Sequence, residues 1–299
     1  MRLVRVQSLL LVILALLAGA ILLSVWQATN RTLTVTFLDV GQGDSIIIKS
    51  PAGRAILIDG GEEGQYGGRP GTAGRIIIPA LLLAGIGRLD AVVLTHPHDD
   101  HLGGLLGVIE NIPTGILLLR RDQGAAESQM FQRLLDVVER RQVQVVQATA
   151  GQVLNLGGGV RCEILHPGPQ PVIGTHSDVN NNSIVVRLTY RQVSFLLPGD
   201  LEAEGEQWLF SRRPNLASTV LKVAHHGSDS ATSEALLDAV RPRLAVISVG
   251  RWNRFGCPRP VTLARLRARH ARILRTDLEG AIAIRSDGQT WQVRTYGHR

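Results

Sequence analysis

The sequence predicts an α/β domain, two sheets packed together with helices outside, preceded by one N-terminal transmembrane helix. Three observations predict it. Residues 9–26 form an uncharged apolar run. From residue 32, short β-branched runs alternate with amphipathic stretches and glycine turns. No long polar linker interrupts them, so residues 1–31 read as an anchor or signal segment and 32–299 as one domain. Strands alternating with helices in one stretch are the pattern of layered α/β folds.

The run LLLVILALLAGAILLSVW has 18 residues, near the lower limit for crossing the hydrocarbon core. Arg2 and Arg5 precede it and Arg31 follows. Positive charge ahead of the run keeps the N-terminus cytoplasmic and places the domain outside. A cleaved signal is the rival reading, because Ala18-Gly19-Ala20 fits a small-x-small site; the domain is then secreted.

TLTVTF (32–37) alternates like a half-buried strand, and SIIIK (45–49) and AILID (55–59) follow it. The glycine-rich segment 60–74 reads as loop. A helix is expected over 75–87, a buried strand over 90–95 and a short helix over 102–110. SQMFQRLLDVVERRQ (128–142) is the clearest amphipathic helix. Strands are expected near 143–147, 160–164, 184–189 and 193–197, then a helix over 201–210. Strand 219–224, helix 233–240, strand 244–250 and helix 260–271 come next. Strands near 281–285 and 290–295 close the chain.

Composition narrows the function. Hydrophobic residues at 44% and charged residues at 19%, of both signs, exclude a disordered charged tail. Two cysteines exclude a disulfide-dense scaffold and a four-cysteine zinc module; Cys162 and Cys257 either pair or stay thiols. The net charge of +7 fits a polyanion partner. Aromatics at 4% argue against a base-stacking platform. Arg259, Arg265, Arg267, Arg269 and Arg272 crowd one stretch, either a solvated helix face or a phosphate-facing patch.

The chemistry concentrates in THPHDDHLGG (95–104). Of the six residues His96 to His101, all but Pro97 can bind metal, and they follow a strand, where α/β sites form. His96 and His98, two apart on an extended loop, can reach one ion; Asp100 and His101, at a helix start, can reach a second. FLLPGD ends a strand in Asp200, and LKVAHHGS ends one in His225 and His226. Asp59 of LIDGG can accept from a ligand imidazole and fix its tautomer, or stabilise a turn. Asp39 and Asp44 of DVGQGDS read more readily as turn residues.

FLDVGQGDSIII, LIDGG, LTHPHDDHLGG, NNNSIVVRL, FLLPGD, LKVAHHGS and ISVGRWNRFG, in this order, resemble the metallo-β-lactamase superfamily with its HxHxDH signature. More closely, they resemble the hydrolase domain of the ComEC family of DNA-internalisation competence proteins. The resemblance covers about residues 33–285. It implies an αββα sandwich with a dinuclear metal site. By position it implies His96, His98, Asp100, His101, Asp200 and one of His225/His226 as ligands. The assignment adopted gives the metal His226 and gives proton transfer to Asp100 and His225. Asp44, Asp59, Asn181, Asn182, Ser183 and Asn253 are expected behind the ligands or against substrate.

The chain departs from the wider pattern. The superfamily's additional histidine, between the HxHxDH loop and the bridging aspartate, has no clear counterpart; His166, His176 and Asn180 to Asn182 are the candidates. Cys257 stands where the family's Asn-x-aromatic-Gly-His-Pro turn has histidine. The multi-spanning channel is missing, so a separate DNA-uptake channel is the partner expected, beside the membrane contact through residues 9–26.

Two divalent ions, zinc or manganese, are the expected cofactors; the ligand types also suit iron. The leading expectation is an extracytoplasmic, membrane-tethered metal-dependent hydrolase, a phosphodiesterase or nuclease acting on DNA in a competence-related context. Alternatives are hydrolysis of another ester, such as a phosphocholine ester or a lactone, and a DNA-binding module with a vestigial site. Salt dependence separates the DNA readings from a small neutral ester.

Overall fold

The computed structural model describes residues 12–21, 32–64, 71–120, 128–212 and 214–297. Residues 12–21 form a helix exposed along its whole length. At 1.5 Å per residue it rises about 15 Å, half of a hydrocarbon core of about 30 Å. Among the described residues no helix is long and apolar enough to cross a membrane. The rest of the predicted membrane run, 9–11 and 22–26, lies outside the described residues.

The strands form two sheets. The first comprises β1 (Leu33–Phe37), β2 (Ile46–Lys49), β3 (Ala55–Ile58), β4 (Leu89–Val93), β5 (Thr114–Leu119), β6 (Gln144–Gln147), β14 (Ala281–Ser286) and β15 (Trp291–Tyr296). Its order is β15-β14-β1-β2-β3-β4-β5-β6. The second comprises β7 (Val153–Asn155), β8 (Val160–His166), β9 (Val185–Tyr190), β10 (Val193–Leu197), β11 (Val220–Lys222), β12 (Leu244–Ile247) and β13 (Arg272–Arg275), in the order β13-β12-β11-β10-β9-β8-β7. In each sheet the antiparallel strands give way to four parallel ones, β3 to β6 and β10 to β13.

Residue pattern explains the layers. β1 alternates, turning Leu33, Val35 and Phe37 inward. These pack with Ile48, Ile56 and Ile58 against Ile164, Val186, Leu188 and Phe195 of the facing sheet. β11 and β12 are buried throughout, as parallel strands covered on both faces must be. Helices Ile78–Leu83, Asp99–Asn111 and Gln129–Arg140 cover the first sheet through Leu81, Leu105 and Leu134. Helices Ala203–Ser211, Glu234–Val240 and Pro260–Ala268 cover the second through Leu209, Leu237 and Leu266. The result is helices, sheet, sheet, helices. Each buried leucine contributes roughly 1.5–3 kcal/mol of transfer free energy.

Three strands and two short helices escape the sequence reading. TGILLL of β5 is an apolar run without alternation, which reads as readily as helix. β7 has three residues, too few for any period. β13 follows the helix Pro260–Ala268 so closely that it reads as its tail. Asp178–Asn181 and Thr276–Glu279 are single helical turns. The expected loop 60–74 ends early, since a helical turn begins at Ala73 and runs into Ile78–Leu83.

Parallel register builds the site. Ile58 of β3 stands beside Val93 of β4, so Asp59 and Thr95 meet just past the strand ends. Leu196 of β10 stands beside Leu221 of β11, which brings Lys222 to the Gly199-Asp200 turn. All these residues lie at the carboxyl ends of strands, facing the gap between the sheets.

Candidate metal centre

His96 leaves β4 buried, and His98 caps the helix Asp99–Asn111. The Nε2 of His96 and the Nδ1 of His98 are 3.0 Å apart. Asp100 and His101 lie in the first turn of that helix. Its N-terminus favours the Asp100 carboxylate.

The turn 41–44 straps this helix start. Asp44 N donates to Asp100 O at 3.2 Å. Gly43 has φ +111, and a Cβ there would lie 1.9 Å from Asp100 O, so only glycine fits. Across the gap, His225 and His226 are consecutive residues in the left-handed region, at φ 48 and 53. For non-glycine residues this costs about 1–2 kcal/mol each. The kink sends the two imidazoles different ways. His226 is buried, while the His225 side chain is 30% exposed.

The side chains converge on one atom, Asp200 Oδ2. It lies 3.3 Å from His101 Nε2, 3.2 Å from His226 Nε2 and 4.0 Å from His96 Nε2. Asp100 Oδ2 lies 3.2 Å from the same His226 nitrogen. The Nε2 atoms of His101 and His226 are buried and make no well-formed hydrogen bond. Buried polar atoms without partners call for an unseen one. Donor atoms in a four-coordinate zinc shell, with bonds of about 2.0–2.1 Å, lie roughly 3.3–3.4 Å apart. The donor set therefore fits cations. Among the described residues, His96, His101 and Asp200 form one group of donors close enough to share a cation, with His98 beside His96, and Asp100, His101 and His226 form another.

Three of the imidazoles are fixed from behind. His101 Nδ1 donates to Asp59 Oδ2 at 2.8 Å, which turns Nε2 toward Asp200. Asp59 is itself held by the amide and hydroxyl of Thr95 at 2.8 and 2.7 Å. His226 Nδ1 donates to Ser248 O at 3.0 Å. His96 Nδ1 lies 3.1 Å from Thr95 Oγ1 and 3.4 Å from Ser183 Oγ. Such partners set the tautomer and direction of metal-ligating histidines.

Asp44 and Asp200 share Lys222, whose ammonium is fully buried. Lys222 also donates to Gly199 O at 2.9 Å. Asp44, Asp59, Asp100 and Asp200 outnumber this single lysine, an excess that only protons or metal cations offset. Burial works against ionisation of Asp200, but His226, His101 and Lys222 outweigh it and hold its carboxyl well below the usual range. Burial equally opposes a charged His226, yet Asp200 and Asp100 push it up to about 10. Burial and the His101 charge press His96 well below its usual value, keeping it a neutral donor.

Other residues singled out in the sequence lie elsewhere. Asn181 is buried beneath the helix Ala203–Ser211, accepting from Glu202 N and Gly205 N and donating to Thr175 and Glu204. Asn182 bonds Val172 and Asp178 backbone. Asn253 closes its own turn onto Gly250 and Cys257. These bonds tie Asn181, Asn182 and Asn253 to neighbouring backbone, and Asn181 also to the Thr175 and Glu204 side chains. Ser183 alone of its run reaches the centre, accepting from Asp200 N at 3.2 Å. His166 donates to Asn181 O beside Trp208, and the His176 amide bonds Glu204. Cys162 and Cys257 are both free thiols, one in the core and one on the cleft. Of the arginine-rich stretch, Arg269 pairs with Glu234 and Asp238 and Arg265 bonds backbone, so these two belong to a helix face, whereas Arg259 lines the cleft.

Lys222, Glu202 and the cleft wall were not anticipated. A lysine inside the apolar strand TVLKVA is the signal that finds the first, because lysine is almost never buried unpaired. A cleft of about 800 Å³ opens over the centre, lined by His98, Asp100, Asp200, His225, His226, Arg254, Phe255 and Arg259 among others.

The profile of the metallo-beta-lactamase superfamily matches residues 38–251. The chain belongs to that superfamily. It is 31% identical over 274 residues to ComE operon protein 3 of Bacillus subtilis (strain 168), covering 88% of this chain and 34% of that protein. Competence protein ComA of Neisseria gonorrhoeae is 32% identical over 268 residues, covering 89% and 34%. Both bear out the resemblance to the ComEC family. The chain spans about a third of the length of these relatives. Among solved structures, CmlA, a diiron beta-hydroxylase from Streptomyces venezuelae, shares the fold with a TM-score of 0.54 at 13% identity, covering 86% of this chain and 55% of that one. The protein is thus a metallo-beta-lactamase-fold hydrolase related to competence proteins, with clustered histidines and aspartates forming a candidate dinuclear metal site.

Proposed function

We propose that the protein is a phosphodiesterase that cleaves DNA with two divalent cations, zinc or manganese. The observation that carries this is the meeting of two unbonded, buried histidine nitrogens on one oxygen of Asp200. Bound there, the cations supply Lewis acidity and lower the pKa of water to about 7. His96, with His98 beside it, and Asp200 would hold one; Asp100, His101 and His226 would hold the other. Lys222 occupies Asp200 Oδ1 and leaves Oδ2 for the centre. Asp100, 25% exposed at its side chain, has a face open to the cleft for taking up a proton.

His225 is the proton donor to the leaving oxygen. Its Nδ1 faces Glu202 Oε1 at 3.1 Å, and its Nε2 lies 3.9 Å from Asp200 Oδ2 on the open side. Glu202, anchored by Asn180 at 2.9 Å, holds its carboxylate beside the ring. Arg254 and Arg259 on the cleft wall favour a phosphodiester over a neutral ester. The apolar run 9–26 tethers the domain on the outer side of a membrane, in a competence-related context.

The test is to strip the metal, restore zinc or manganese, and follow cleavage of single- and double-stranded DNA and of bis(p-nitrophenyl) phosphate. The double variant Asp100→Ala/His101→Ala runs in parallel. Metal-dependent cleavage absent from the variant supports the reading. Two bound metals with no phosphodiester cleaved would overturn it.

A further inference from the structure

One wall of the cleft is the arm Arg251-Trp252-Asn253-Arg254-Phe255-Gly256-Cys257-Pro258-Arg259. Trp252 at its tip is 91% exposed and Phe255, on the cleft, is 47% exposed. An arginine covers part of each ring: Arg251 Cζ lies 5.8 Å from the Trp252 centroid and Arg254 Cζ 5.1 Å from that of Phe255. Among the described residues, none of Arg251, Arg254 and Arg259 pairs with a carboxylate.

The arm is held in shape. The Asn253 side chain makes three hydrogen bonds across it, at 2.9, 2.8 and 2.9 Å, to Gly250 O, Cys257 O and Cys257 N. Gly250 N donates to Gln42 Oε1 at 3.3 Å, and Arg259 N to Gly227 O at 2.9 Å. Those two anchors fix its ends beside the strap of the metal centre and beside the His225-His226 kink. Ordering costs are therefore met before anything binds.

We infer that this arm is a platform for single-stranded nucleic acid, with Trp252 and Phe255 stacking on unpaired bases and Arg251, Arg254 and Arg259 holding phosphates. The inference rests on the phosphodiesterase reading and names the form of its substrate. Stacking needs open base faces, which a duplex keeps inside its own stack. Three unpaired arginines suit a polyanion and disfavour an apolar protein partner. The low aromatic content of the chain is no obstacle, because two rings at one place accommodate two bases. A strand lying on Phe255 enters the same cleft as His98 and Asp100.

The test uses the full chain and a dodecathymidylate with phosphorothioate links, which resists hydrolysis. Affinity is read by anisotropy and stacking by quenching of tryptophan emission. Competitors are a 12-base-pair duplex and an abasic strand of equal length. The single strand is expected to bind at least tenfold tighter than either and to quench emission. Trp252→Ala is expected to weaken binding roughly five- to a hundredfold and to lose the quench, with unchanged melting, while Trp252→Phe keeps most of the affinity. Equal binding of the abasic strand overturns the platform. So does equal affinity in Trp252→Ala, or a Trp252 dependence found for phosphatidylglycerol vesicles but not for the strand. Binding needs no turnover, so a wild type that hydrolyses no phosphodiester sinks the phosphodiesterase reading alone.

Discussion

Lys222 donates to Asp200 Oδ1 at 3.3 Å, while His101 and His226 converge on Oδ2 of the same carboxylate. One oxygen is neutralised by the fold and the other is left for the centre. Asp44 accepts from the same ammonium, so two buried carboxylates depend on it. Removing one partner of a buried ionic cluster costs about 3–5 kcal/mol. Lys222→Met is therefore expected to lose about that much in urea unfolding of the metal-free protein. Metal-loaded protein should lose less, because cations then offset part of the same charge. Equal losses with and without metal would reduce Lys222 to a packing role.

Acid sensitivity has a source away from the centre. Burial presses the His166 imidazole down to about 4, against about 6.5 in an unfolded chain. Between those values the unfolded chain takes up a proton that the folded one refuses. This contribution is fully present above about pH 6.5 and is lost as the pH falls toward 4, by about 3 kcal/mol. His166→Gln keeps a donor for Asn181 O and removes the titration. Urea unfolding between pH 7 and 4.5 should show a shallower acid slope in the variant. The same slope in both proteins would place the acid loss in other groups.

The His96-to-His101 run was legible because metal-binding types crowded behind an apolar strand have few other uses. Asp200 and the histidine pair were legible for the same reason, each ending a strand. Which histidine turns inward was not, since it depends on left-handed backbone at both positions, which composition does not encode. Asn181 and Asn182 looked like site residues by their place in the order of motifs. In the fold their amides bond a helix and a loop that only the folded chain brings near. Among elements, alternation announced β1, whereas β5 and β13 needed the parallel neighbours that pair with them.

Metal binding should release protons. Without cations, the carboxylates overcome burial and keep His226 protonated up to about 10 and His101 well above its usual value. A cation needs those nitrogens bare, so protons compete with it. Apparent affinity is expected to rise by about tenfold per pH unit for each displaced proton between pH 6 and 8. Calorimetric titration in two buffers of different ionisation enthalpy counts the protons directly. No release at pH 7 would mean the histidines are already neutral in the metal-free protein.

Removing Lys222 tests charge and removing His225 tests chemistry. A donor that protonates the leaving oxygen matters most when that oxygen leaves poorly. His225→Gln should slow DNA cleavage by about 10²–10⁴-fold, the usual worth of a general acid. Bis(p-nitrophenyl) phosphate, whose leaving group needs no proton, should slow far less. Glu202→Gln should act in the same direction but more weakly. It leaves the ring in place and removes the charge of the carboxylate that lies 3.1 Å from His225 Nδ1. Equal slowing of both substrates in His225→Gln would assign that histidine to binding or to the metal, not to proton transfer.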